Sequence, residues 1–265
     1  MFSRMRNRLR RGLVTALMAI VVIIPGAARP VQAVIPWATI GAIIDVATKA
    51  VNLYKALTGG GGISDAALKE AVRQIIAKVE QTKVEIIAHV DAIAAAEVRA
   101  CVRHHVIEFV DIDLFSPALL QSWAQDATGC ATLADSTLRA VTDQGAADEI
   151  GLAVNVITPI AIAARARAGF STAGIIDTLR TGNQAAIAKL FPSCIVYYYP
   201  LHPYAPIAEG HYDCTAYNGD RASSATWIVY GQTIIGPVPD FAAAEREATK
   251  RTSREIAFGV LPTLP

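Results

Sequence analysis

The longest uninterrupted amphipathic pattern in the chain covers residues 64–110. Apolar residues recur at Leu68, Val72, Ile75, Val79, Ile86, Val90 and Ile93, in steps of three, four or seven that keep them on one face of a 3.6-residue helix. Ile76, Ile87, Ala94 and Val98 widen the stripe, while Lys69, Glu70, Arg73, Glu80, Lys83, Glu85 and Asp91 mostly take the other faces. Neither Pro nor Gly interrupts the stretch. Ser64 supplies an N-cap, and Asp65 meets the positive end of the helix dipole. The pattern predicts one amphipathic rod, which at 1.5 Å per residue is about 60–70 Å long.

The same periodicity predicts a helix before the rod, over 38–57, with Ile40, Ile43, Ile44, Ala47, Val51, Tyr54 and Leu57 on its apolar face. Glycines 59–62 link it to the rod, and so short a link implies antiparallel packing. After the rod ends near Asp111-Ile112-Asp113, Ser116-Pro117 opens another helix carrying Leu119, Leu120, Trp123, Ala127, Leu133, Leu138 and Val141. Asp143-Gln144-Gly145 is a break. Residues 150–164 are the most apolar segment beyond the N-terminus; they predict a buried central helix kinked at Pro159, and are too short to span a bilayer. Two short helices are expected over 172–180 and 184–191, parted by Gly182-Asn183.

At Pro192 the period changes from helical to alternating. Seven of the eight tyrosines fall between Tyr197 and Tyr230, and residues 194–199, 211–217 and 225–230 are strand candidates, with 232–235 as a fourth. Asn218-Gly219 marks a hairpin turn. Asp240 caps a last helix expected over 241–260. The fold class is therefore mainly α: a helical bundle built on one long amphipathic helix (about 64–110), with a small C-terminal antiparallel β-hairpin region and a final helix. The domain reading is 1–33, 34–191 and 192–265.

The first 33 residues read as a secretory signal peptide. Arg4, Arg6, Arg8, Arg10 and Arg11 precede an apolar run over 12–24, Pro25 breaks it, and Val31-Gln32-Ala33 offers a small-residue cleavage site. The Arg10-Arg11 pair also fits twin-arginine export, with the general secretory route preferred. Six of the 24 basic residues lie in this leader, which has no acid, so the remainder carries 18 bases against 23 acids, a net charge of −5. That surface gives nucleic acid no basic face to bind. The four cysteines of an exported chain predict two disulfides. Of three possible pairings, Cys101–Cys130 and Cys194–Cys214 join residues close in sequence on neighbouring elements. No pair has the spacing of a zinc knuckle.

Candidate chemistry is sparse. His104, Glu108 and Asp111 share a helical face, but charged residues at such spacings are ordinary on a solvated helix, and His105 is expected to pack beside a disulfide. Glu85 and His89 suit a simple i, i+4 contact, and Asp111-x-Asp113 lacks the α/β context of a sugar-nucleotide site. Residues 169–173 approach a nucleophile elbow but end in Ala and follow a helix; Ser171 is better explained as an N-cap. No catalytic or metal-binding residue is assigned, and no cofactor is implied.

The tyrosine-rich region carries the sharper expectation. Tyr197, Tyr198, Tyr199, His202, Tyr204, Tyr212, Tyr217, Trp227 and Tyr230 form a possible binding surface, because Tyr and Trp offer broad apolar faces with a polar tip. Strand alternation places Tyr197 and Tyr199 on one face and Tyr198 on the other, with only one set turned to the helices. The sequence thus reads as a secreted, disulfide-stabilised helical protein with a non-enzymatic binding role towards a protein or glycan at the cell exterior. A membrane-perturbing protein that releases its apolar helix is the alternative, and an extracellular hydrolase a weaker one.

Overall fold

The apolar stripe of the rod does form a buried seam, but on two helices rather than one. In the computed structural model, which describes residues 34–59, 62–236 and 238–265, the first helix α1 spans Trp37–Thr58. A second helix, α2, spans Asp65–Ala92, and a third, α3, spans Ala96–Glu108 and runs on into a 3-10 turn, Phe109–Leu114. The proposed leader, 1–33, lies outside the described residues. Ser64 caps α2 as expected, its hydroxyl accepting the Ala67 N–H at 3.2 Å.

The interruption at residues 93–95 has a packing cause. Helix α5, Gln144–Arg167, is 24 residues long, about 36 Å, so a straight rod of twice that length would carry its apolar face past the end of the bundle. Ile93 instead leaves the helix at φ −58°, ψ 120° while staying 1% exposed. Three side chains hold the turn. Arg99 donates to the Ile93 carbonyl at 2.9 Å, Arg103 pairs with both oxygens of Asp91, and the Glu149 carboxyl lies beside the Ala94 N–H. Beyond the turn α3 lies against α5 and against α4, Pro117–Ala140, to which Cys101–Cys130 ties it.

Helix α5 is the axis of the bundle, in contact with α1, α2, α3, α4, α6 (Ala173–Lys189) and α8 (Ser253–Val260). Asp143 caps it, accepting the Ala146 N–H at 2.9 Å, and it continues through Pro159. The helix is longer than the 15 apolar residues suggest. By length and composition it suffices to cross a membrane, yet 89% of its most apolar 18-residue window is buried in the bundle. Helix α6 runs unbroken through Gly182-Asn183, against expectation. These residues serve close packing: a Cβ at Gly182 would come within 2.6 Å of Val154, and the fully buried Asn183 accepts from Asn155 Nδ2 at 2.9 Å while donating to the Leu179 carbonyl.

The tyrosine-rich segment forms an antiparallel sheet of five strands: β1 Ser193–Pro200, β2 Ile207–Thr215, β3 Arg221–Ser223, β4 Trp227–Tyr230 and β5 Thr233–Ile235, in the order β1-β2-β4-β5 with β3 also paired to β2. Cys194 lies directly opposite Cys214 and is bonded to it. Gly219, at φ 87°, takes the left-handed position of the turn between β2 and β3. The expected last helix is two helices, α7 (Phe241–Ala248) and α8. Thr252 caps α8 and donates to the Thr249 carbonyl at 2.7 Å, so the turn between them is satisfied locally. Helix α7 packs on β2 and β3, whereas α8 joins the bundle against α1, α5 and α6, and the described residues belong to one compact unit.

One buried carboxylate connects these layers. Asp148, in the first turns of α5, accepts the Tyr217 hydroxyl at 2.5 Å and the Ser253 backbone N–H. The strand region, α8 and the central helix thus meet on a single side chain. Burial pushes the Asp148 carboxyl above its usual range, although the bonds from Tyr217 and Ser253 act the other way.

Candidate binding surface on the sheet

Register decides which tyrosines face solvent. Pairing Val196 with Tyr212, Tyr198 with Gly210 and Gly210 with Trp227 puts these side chains on the face towards α7. There Phe241 packs edge-on against Tyr212 and Trp227, at centroid distances of 4.7 and 5.3 Å. Trp227 is buried, its ring lying so close over Gly210 that any Cβ there would sit 2.3 Å from it. Tyr212 donates its hydroxyl to Glu245 at 2.8 Å, and Tyr217 is committed to Asp148. These three aromatic residues hold the sheet to the helices and drop out of the expected surface.

The opposite face carries Ile195, Tyr197 and Tyr199 from β1, Glu209, His211 and Asp213 from β2, and Tyr230 and Ile235 from the far strands. Tyr197 stacks on His211 with centroids 5.2 Å apart and planes 2° from parallel, and Tyr199 meets both rings edge-on. The Tyr197 hydroxyl donates to Asp213 at 2.6 Å; that bond, aided by burial, pushes the phenol up to about 12. Bonds from Ser223 and Tyr197 hold the Asp213 carboxyl below its usual range. This is a rigid aromatic patch, with Tyr197 and His211 fixed and Tyr199 and Tyr230 standing out at 56% and 54% exposure.

Alternation places Tyr197 and Tyr199 together, but neither β1 set is covered. Tyr198, on the α7 side, is 54% exposed, because the eight-residue α7 lies over β2 and β3, with Phe241 reaching Trp227 of β4, and does not pack substantially on β1. Past β1 the loop presents Tyr204, 92% exposed, with its backbone N–H bonded to His202 Nδ1 at 3.1 Å.

The other candidates are absorbed by structure. His104 Nε2 lies 3.3 Å from Glu108, which also accepts the Trp123 indole N–H at 2.8 Å, while Asp111 is exposed. Asp113 pairs with Arg167 at 2.9 Å. Glu85 is exposed and His89 half-buried. Among the described residues no group of three or more His, Cys, Asp or Glu is placed to hold a metal ion. His105 is buried against Trp123, and its Nδ1 bonds the Cys101 carbonyl, which can only accept; the proton is therefore on Nδ1. Ser171 is not the N-cap expected: α6 begins at Ala173 with Thr172 in the cap position, and Ser171, one residue earlier, accepts the Ala173 N–H at 3.4 Å. An open groove of about 560 Å³ between Trp37 and α7 is lined by charges that already have partners, Arg246 on Glu255, Lys250 on Glu247 and Arg251 on Asp220.

Sequence reading missed the Asp148 junction and the Glu149 contact at the rod turn; adjacent acids opening the most apolar segment were the available sign of both. Comparison with known proteins adds no relative: no family model, no curated protein and no solved structure matches the chain.

Proposed function

We propose that the protein acts outside the cell as a non-enzymatic binding protein, and that the outer face of the sheet, with the loop bearing His202 and Tyr204, contacts its partner. The observation that carries this reading is the set of tyrosines left standing in solvent on a disulfide-clamped sheet. Tyr199, Tyr204 and Tyr230 are each more than half exposed, although folded chains usually turn such rings inward. Rigid aromatic side chains lose little entropy on contact and dominate binding energy where they occur. Ile195 and Ile235 share the face and its carboxylates are engaged, which favours a protein over a glycan. Two intramolecular disulfides suit an oxidising compartment, and an exported form beginning at Val34 is the expected mature species.

The test is a pull-down from extracellular material alongside a glycan array, using the oxidised protein and a Tyr199→Ala/Tyr204→Ala/Tyr230→Ala variant of unchanged melting temperature. Capture lost in the variant supports the reading; capture retained removes it, and signal on the array alone replaces the protein with a glycan. A second reading rests on α5, whose length and apolar character suit a membrane. Dye release from anionic vesicles would support it, and intact vesicles across pH 4.5–8 would exclude it.

A further inference from the structure

The two edges of the sheet are guarded very differently. β5 is three residues long, and brevity alone blunts it. β1 is eight residues long, about 26 Å, and none of Ser193, Cys194, Ile195, Val196, Tyr197, Tyr198, Tyr199 and Pro200 is charged. Among the described residues β2 is the one element that packs substantially against it. Large apolar side chains stand exposed on both sides of this strand: Ile195 and Tyr199 on the outer face, Val196 and Tyr198 on the other. Soluble proteins usually protect such an edge with a lysine, a bulge or an overlying helix. Here the protection is limited to Pro200 at the last position, which removes a single donor.

We propose that β1 is a dimerisation edge, and that two copies of this chain pair antiparallel through it about a two-fold axis at Tyr197, making one continuous sheet. The order of residues along the strand selects this occupant. β-branched residues come first and aromatic ones last, so reversing a second copy against the first sets Ile195 opposite Tyr199 and Val196 opposite Tyr198 on both sides of the axis. Those are favourable aromatic and β-branched cross-strand pairs, repeated symmetrically, with no charge opposed to its like. Registers shifted by one residue would set the outer face of one sheet against the inner face of the other and are excluded by the pleat. Pairing uses the edge and leaves both faces open, so the proposal does not rest on the binding role above: a monomeric protein could still bind through the outer face.

The experiment is sedimentation equilibrium of the oxidised protein with three variants. The wild type is expected to dimerise reversibly with a micromolar dissociation constant; a monomer at every concentration up to about 100 µM, a scale on which a free energy near −5.5 kcal/mol is still detectable, overturns the proposal. Ile195→Lys/Tyr199→Lys sets lysine against lysine across the axis and should weaken the dimer at least tenfold with an unchanged melting curve. Mixing it with Ile195→Glu/Tyr199→Glu should restore a heterodimer, which separates edge repulsion from misfolding. In Tyr197→Cys the new thiols face each other, so mild oxidation should give a 197–197 cross-link in peptide maps. A dimer that persists in the lysine variant, or a cross-link no faster in Tyr197→Cys than in Tyr198→Cys, places the contact elsewhere and overturns it.

Discussion

Ile157 in α5 and Ile195 in β1 are the same side chain in opposite surroundings, one fully buried among helices and the other 62% exposed on a strand edge. The contrast extends to the regions around them. The bundle buries even polar groups, and it satisfies several of them internally: Asn155 on Asn183, Asp135 on Arg139 and Thr181, Asp148 on Tyr217 and Ser253. The sheet has a small core of Cys214 with Ala244 and Ala248, flanked by Cys194, Tyr212 and Ala222, and it leaves large apolar rings outside. Area burial stabilises the first region. A covalent bond and one helix hold the second, which frees its aromatic residues for contact.

The most direct way to break this comparison is the same substitution in both places. Ile157→Ala should destabilise the protein by about 2–5 kcal/mol through lost burial and a residual cavity. Ile195→Ala should stay within about 0.5 kcal/mol, as measured by urea unfolding at a protein concentration low enough to keep the chain monomeric. Equal effects there would mean that the edge is covered within the monomer itself. Next in size, Cys194→Ser/Cys214→Ser removes a bridge spanning 20 residues, which loop-entropy estimates place at about 3 kcal/mol. The near-ultraviolet signal of Trp227 should fade while helical ellipticity at 222 nm persists; loss of both together would show that bundle and sheet fold as one cooperative unit.

A smaller effect sharpens the contrast by pH. Burial, with Asp148 and Asp143 nearby, pushes Glu149 up to about 7. The folded state therefore holds this proton more tightly than the unfolded chain, so Glu149 favours folding at low pH and loses that advantage as pH rises from about 4.5 through 7. Glu149→Gln should accordingly stabilise the protein at pH 8, by roughly 1 kcal/mol after allowance for partial exposure, and do nothing near pH 4.5. His105 runs the other way: burial holds it below its usual value, so its contribution is lost as pH falls below about 6.5. Melting temperatures of the variant and the wild type at both pH values test the assignment. The smallest stability change belongs to Tyr199→Ala, within about 0.5 kcal/mol yet with partner capture lost.

Most helices and strands were legible because their periods differ and their ends carry caps: Ser64, Ser116 and Asp240 all accept the N–H expected of them. The misreadings have a common physical source in tertiary context. Nothing local interrupts the pattern at residues 93–95; the turn exists because α5 is too short to receive a straight rod, and Glu149, distant in sequence, comes beside the freed Ala94 N–H. Conversely, Gly182-Asn183 looks like a break and is helix interior, because Val154 and Asn155 claim the space and the hydrogen bonds. Along the tyrosine cluster, alternation predicted which rings share a face. It could not show that α7 stops short of β1, and that is why Tyr198 stays exposed beside a buried Trp227.

The pairing of the cysteines bears on how the chain reaches this state. Each bridge joins a cysteine to the next one along the chain, Cys101 to Cys130 and then Cys194 to Cys214, with neither loop enclosing the other. For a polypeptide threaded N-terminus first into an oxidising compartment, oxidation in simple order of appearance yields both native bonds. On that route the first would close while residues 192–265 are still untranslocated, before Cys194 and Cys214 can compete for Cys101 or Cys130. Pulse alkylation during translocation should find Cys101–Cys130 before Cys194 appears, and recovery of the native pair without an isomerase should follow.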